Sequence, residues 1–322
     1  MDRKTLEAAS EQHIIDPSQI DPLLNFLNKE KATQVTSSHL RFKRMSGDVF
    51  ITLGVIFISV SAAQFNLQSY FNLLPMLLML IASEWLIAKR RLVLPGIAIV
   101  ISLLYFASRL VDFSFTNSLL VDTAVLTSLA SLFYLRYRFP FAMLAIGIGL
   151  ITLFNSLISV EWGQLQSLFA VYGLFIFMIA MWFDSLDTKR ESYLSDTAFW
   201  LHLLAAPLFV HAVMSSLLMT ANPIASKEIL IIVFFISFFL LALYVDRRAL
   251  LVSSFSYAVY AITKISNNAV YQIENKTFLL FITLGILIIF FGAYWHKVRT
   301  IVFSFSQNMV LSNLVPPFSD KE

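Results

Sequence analysis

The stretch Leu73-Leu-Pro-Met-Leu-Leu-Met-Leu-Ile-Ala-Ser-Glu-Trp-Leu-Ile-Ala-Lys-Arg-Arg-Leu-Val-Leu-Pro-Gly96 decides the fold. One apolar run reaches Ala88, three cations follow, and a second apolar run starts around Pro95. About 20 residues rising 1.5 Å each cross a hydrocarbon core about 30 Å thick. The Lys89-Arg-Arg91 cluster holds the connection in water. The proline costs little there, because first-turn N–H groups have no helical partner. The unit is a transmembrane helical hairpin with a basic turn.

The unit recurs along the chain. Arg136-Tyr-Arg-Phe-Pro140 repeats the basic turn and the proline, and Asp246-Arg-Arg248 repeats it without one. Apolar segments fall near 48–65, 70–88, 92–111, 118–135, 140–158, 165–183, 197–218, 228–245, 249–265 and 277–295. The alternating short strands of a membrane barrel are missing, so these spans are helices. The expected fold class is all-α: a polytopic transmembrane helical bundle of about ten spans over 46–296, with a helical hairpin at 1–45 and a juxtamembrane tail at 297–322.

Composition points the same way. Of 322 residues, 58% are hydrophobic and only 13% charged, about half the usual charged share. Mean hydropathy is +0.76. So few charges cannot clothe a water-soluble protein, which excludes a soluble enzyme, a nucleic-acid-binding domain and a secreted scaffold. The absence of cysteine excludes disulfides, thiolate metal sites and a cysteine nucleophile.

Charge also gives orientation. Cations recur as stations at Arg41/Lys43/Arg44, Lys89/Arg90/Arg91, Arg136/Arg138, Lys189/Arg190, Arg247/Arg248 and Lys297/Arg299. With both tails inside, one face collects 19 of the 23 Lys and Arg; Arg109, Lys227, Lys264 and Lys276 remain on the other. Such asymmetry marks the cytosolic side.

The first 45 residues hold 13 of the 43 charges and no apolar leader, so no cleavable signal is expected. A first helix is expected over about Asp2–Gln12. A second starts with Asp16 as N-cap, Pro17 at the first helical position and Gln19 completing a capping box, with Ile15 and Ile20 as its staple. Pro22 favours a true start nearer Asp21. At the other end, Val302, Phe305 and Met309 give Arg299–Leu314 an apolar face for the inner membrane surface.

The segment Leu6-Glu-Ala-Ala-Ser-Glu-Gln-His-Ile-Ile-Asp-Pro-Ser-Gln-Ile20, with Ser83-Glu-Trp85 and the Lys89–Pro95 turn, resembles uncharacterised bacterial multi-span membrane proteins of the domain-of-unknown-function families. The resemblance covers about the first third of the chain. It implies the bacterial inner membrane and brings no activity, cofactor or site residue.

Ionisable residues inside a bilayer are costly and mark candidate sites. Asp122 lies about 6 Å from the outer start of its span, while His211 and Lys264 lie about 21 and 22 Å from their inner starts. All three fall in the outer third, with Arg109 and Asp112 just above. Glu84 and His202 form an inner layer. Ser253, Tyr257, Tyr260 and Lys264 share one helix face, as do Thr123, Thr127, Ser131 and Tyr134. Such stripes either bind helices together or line a polar pathway. Each charge also has a plain reading. Lys264 can snorkel to headgroups, Asp122 can favour the helix dipole or pair with Arg109, Arg109 and Asp112 can satisfy each other, and Glu84 can pair with an inner-turn cation.

His202 and His211 are nine residues apart, on opposite faces of a straight helix, so they are not expected to share a metal. Pro207 between them marks this span as the one to bend or line a cavity. No metal, cofactor or catalytic group is expected. Gly147-Ile-Gly149 lacks the strand context of a nucleotide loop, and Gly285 and Gly292 read as close helix packing. The expected partners are the lipid bilayer and a protein at the N-terminal hairpin, with no nucleic acid.

Three functions remain. The first is a transporter or channel for a small solute or ion through the outer polar layer. The second is a structural or assembly protein with the hairpin as docking module. The third, weakest, is a membrane-embedded lipid-modifying enzyme with Asp122 or His211 as acid or base. The charge split makes a direct prediction: reporters fused at the C-terminus and in the Asn267–Lys276 loop will give opposite signals. Matching signals would contradict ten spans.

Overall fold

The computed structural model describes residues 15–25, 47–64, 69–114, 118–158, 162–219, 226–251, 276–303 and 314–316, with Leu6, Ser10 and Gln12. Its elements are helices: α1 Asp48–Gln64, α2 Leu73–Ser83, α3 Val93–Ser114, α4 Leu119–Tyr137, α5 Pro140–Ile158, α6 Trp162–Leu186, α7 Tyr193–Met219, α8 Ser226–Val245 and α9 Lys276–Phe303. Nine of the ten expected spans coincide with these helices; of 249–265, only the first three residues are described. Among the described residues, seven helical stretches are long and apolar enough to cross a membrane, and α1 and Val233–Val245 are shorter apolar pieces. The chain is a helical membrane protein whose apolar faces meet lipid. α9 runs through Phe303, past the expected end of the bundle at 296.

Asp16 caps the helical turn Pro17–Gln19 as its sequence requires, with both capping-box bonds present. Hydrogen bonds from Ser18 hold the Asp16 carboxyl below its ordinary pKa. The first expected N-terminal helix lies largely outside the described residues.

Neighbouring helices pack as antiparallel pairs, α2 on α3, α4 on α5 and α6 on α7, and α1 lies along α3. The basic turns share a feature, a residue with left-handed backbone in each: Arg91 (φ 57°), Arg138 (φ 49°), Arg190 (φ 56°) and Asp246 (φ 58°). At the first turn, α2 widens into a π-helical segment, Glu84–Lys89, and Arg90 N–H reaches back five residues to Trp85 at 3.2 Å.

α7 is the most enclosed span: 56% of its apolar window is buried, against 6% for α5. It contributes Ala198, Leu201, Leu204 and Ala205 to one apolar cluster with α6, and Ala206, Val210 and Met214 to another with α8 and α9. The two backbones of α6 and α7 nearly touch at Gly173. A Cβ there would lie 2.8 Å from the Phe209 nitrogen and 3.1 Å from the Ala205 oxygen, on either side of Pro207. Gly149 similarly presses on Thr127 of α4. No described atom lies within 4 Å of a Cβ built at Gly285 or Gly292.

Gly173→Leu should therefore destabilise the protein by about 1–3 kcal/mol, since backbone cannot step aside as a side chain can. Gly285→Ala should stay within about 0.5 kcal/mol. Thermal unfolding in detergent compares the two.

Candidate functional site

The basic turns carry more than topology. Arg136 and Tyr137 of the second turn reach back to Glu84 beside the first, at 3.1 and 2.9 Å. Arg138 donates to the Tyr193 hydroxyl of the third at 2.8 Å. Arg190 of the third donates to the Asp246 carboxylate of the fourth at 2.8 Å and to the Asp246 carbonyl at 2.7 Å. Trp295 of α9 donates to the same carboxylate at 2.6 Å. Arg299 then takes the Leu243 and Tyr244 carbonyls at 3.0 and 3.3 Å, and Pro316 O at 2.7 Å. It thus caps the negative end of α8 and holds the returning tail.

The deepest part of this belt is Asp184, His202 and Arg247. Their side chains are 3%, 0% and 7% exposed. The Arg247 guanidinium makes a two-pronged contact with the Asp184 carboxylate, and also donates to the Ser195 hydroxyl and carbonyl at 3.0 Å. His202 Nε2 meets Asp184 Oδ2 at 2.8 Å. Side chains on a helix lean toward its N-terminus. α6 and α7 run antiparallel, so Asp184 and His202 lean toward each other along the pair. His202 Nδ1 is buried and has no hydrogen-bond partner among the described residues, and the ring packs edge-on to Phe177 at 5.3 Å. Arg190 lies just outside the spans. Burial, then the nearby Arg247 charge, pull its guanidinium below the usual range against the opposing Asp246 and Asp184.

The expected outer residues fare differently. Asp122 sits in the first turn of α4, half-buried, with Oδ1 enclosed and lacking a hydrogen-bond partner among the described residues. Arg109 on α3 is exposed, and no ion pair joins it to Asp122. His211 packs on Phe169 of α6 at 5.9 Å. Asp122 and His211 stand on helices that both pack against α5. Tyr257, Tyr260, Lys264 and the Asp112 side chain lie outside what is described.

The rings of His202 and His211 both meet phenylalanines of α6, Phe177 and Phe169. Of the α4 stripe, Tyr134 bonds across to Thr197 of α7, while the threonines and the serine bond within α4. Thr123 donates to Leu119 O, Thr127 to Thr123 O and Ser131 to Thr127 O, each one turn back on its own helix.

Asp184, Asp246, Arg247, Trp295 and Arg299 were missed as site residues. Asp184 carried a readable signal: an acid in the last turn of a helix opposes the dipole and needs a cation. Among the described residues, no group of three His, Asp or Glu is placed to hold a metal. Comparison of the chain with family models, curated proteins and solved structures gives no match to any of them.

Removing one partner of a buried ion pair leaves the other uncompensated, at a cost of about 3–5 kcal/mol. Asp184→Asn should lower stability by that order. Asp184→Leu combined with Arg247→Met should recover much of it. Additive losses in thermal unfolding would show that the two do not act as a unit.

Proposed function

We propose that the chain is a proton-linked transporter of a small solute or ion in a bacterial inner membrane, with ten spans and both termini in the cytosol. The cation asymmetry and the N-terminal resemblance support the location. The route follows α7, from His211 in the outer half to His202 in the inner half. Asp184, His202 and Arg247 form its inner ionisable station. One observation carries the reading: His202 is wholly enclosed, bonded to Asp184 through Nε2, and its Nδ1 is unspent among the described residues. A purely structural site gains nothing from an unsatisfied buried nitrogen, which costs about 1–3 kcal/mol. A proton carrier needs such an atom. Pro207 supports the reading, since it cannot donate to the carbonyl four residues back and leaves α7 a point of bending between the two histidines.

A structural or assembly role is the second reading. It is favoured by the belt itself, in which Glu84, Arg138, Arg190 and Asp246 are all engaged by a neighbouring turn or helix. The N-terminal hairpin at 1–45 would then be the docking module.

A pH jump across proteoliposomes on a solid-supported membrane separates the two. Proton uptake at a buried histidine displaces charge and gives a transient current. His202→Phe should abolish it, while His296→Gln, at an exposed position on α9, should leave it intact. A current that persists in His202→Phe, or is missing from the wild type, leaves the structural reading standing.

A further inference from the structure

α1 and α3 make their closest polar contact at two small residues, where the Ser102 hydroxyl donates to Ser59 at 2.7 Å. Ala63 and Ala98 extend the row of small side chains along the same seam. Larger residues rise on both sides, Ile56 and Val60 from α1, Ile101 and Tyr105 from α3, and all four are exposed. Small residues flanked by large ones leave a trough. It encloses about 650 Å³ and runs from Thr52 and Leu94 at the basic end to Gln64 and Tyr105.

Its length and mouth indicate an occupant. Leu94 to Tyr105 covers about 16 Å of helix, close to half of a hydrocarbon core about 30 Å thick. The trough therefore has the depth of one leaflet, on the side of the basic turns. Its walls are aliphatic and aromatic, suited to a hydrocarbon chain. Leu94 lies three residues after Arg91, and Lys89 and Arg90 before it are exposed. The Arg90 guanidinium sits 4.3 Å over the ring of Trp85, itself 51% exposed. A cation pair beside an exposed indole at the membrane boundary suits an anionic headgroup.

We propose that this groove is a binding site for one anionic phospholipid of the leaflet facing the basic turns. One acyl chain lies between α1 and α3, and the headgroup phosphate meets Lys89 and Arg90. The site is independent of the ionisable station on α7.

Native mass spectrometry of the full chain tests the assignment, with dioleoyl phosphatidylglycerol and dioleoyl phosphatidylcholine titrated separately. The wild type should bind one phosphatidylglycerol in preference to phosphatidylcholine. Neutralising both cations in Lys89→Gln/Arg90→Gln should weaken phosphatidylglycerol about thirtyfold and leave phosphatidylcholine unchanged. Ala63→Phe, which fills the trough, should weaken both lipids. Ile148→Phe, on the exposed face of α5, should weaken neither. If Ala63→Phe does not fold, the double charge variant still decides the headgroup. Equal wild-type binding of the two lipids overturns the proposal. So does binding indifferent to the charge variant, or a loss that Ile148→Phe reproduces.

Discussion

A guanidinium at the end of a membrane helix must find acceptors, because neither lipid nor a packed interior can replace its hydration. In this chain that requirement organises one whole face. Apolar hairpins end in arginines, and four of these are answered by a neighbouring turn or helix end rather than by their own. Arg136 looks to Glu84, Arg138 to Tyr193, Arg190 to Asp246 and Arg247 to Asp184. Cations that read as topology signals in the sequence are thereby also contacts to a neighbouring hairpin. Not all of these contacts weigh the same. The Arg136–Glu84 pair is 63% and 47% exposed, so water screens it and it adds little. The Asp184–Arg247 pair is enclosed, and there the loss of either member dominates the energetics.

The left-handed residues belong to the same arrangement. A non-glycine residue in that conformation costs about 1–2 kcal/mol. Glycine would remove the strain at Arg138, Arg190 and Asp246, but would also remove the side chain that bridges to the neighbouring turn or helix. The strain is retained because the side chain is in use. Glycine appears instead where a side chain would obstruct, at Gly173 against the α7 backbone. One position gives up backbone freedom for a contact, and the other gives up a contact for proximity.

Much of the fold could be read from apolar run lengths. Nine expected spans fall on helices, though α9 overruns its expected end by eight residues, and the Asp16 cap was legible from its spacing. The pairing of Glu84 with a cation of a basic turn was legible, and Arg136 makes it. The partners of His202 were not. Asp184 and Arg247 are 63 residues apart, and hydropathy gives height along a helix without its rotation or its neighbour. Arg247 therefore read as a topology signal alone. Nor could the close approach of α6 and α7 at Gly173 be read, since it is a fact about a pair of helices that neither sequence segment contains.

The order in which these partners leave the ribosome follows from the belt. The hairpins up to α7 are built from segments adjacent in sequence, and each can enter the bilayer as it is made. Asp184 and His202, however, are translated well before Arg247, and Asp246 before Trp295 and Arg299. A nascent chain halted after α7 holds a carboxylate in apolar surroundings with its cation not yet made. Synthesis of the fourth turn supplies that cation, and α9 then brings Trp295 and Arg299 to the same belt. The last third of the chain thus completes the ionic contacts of the middle.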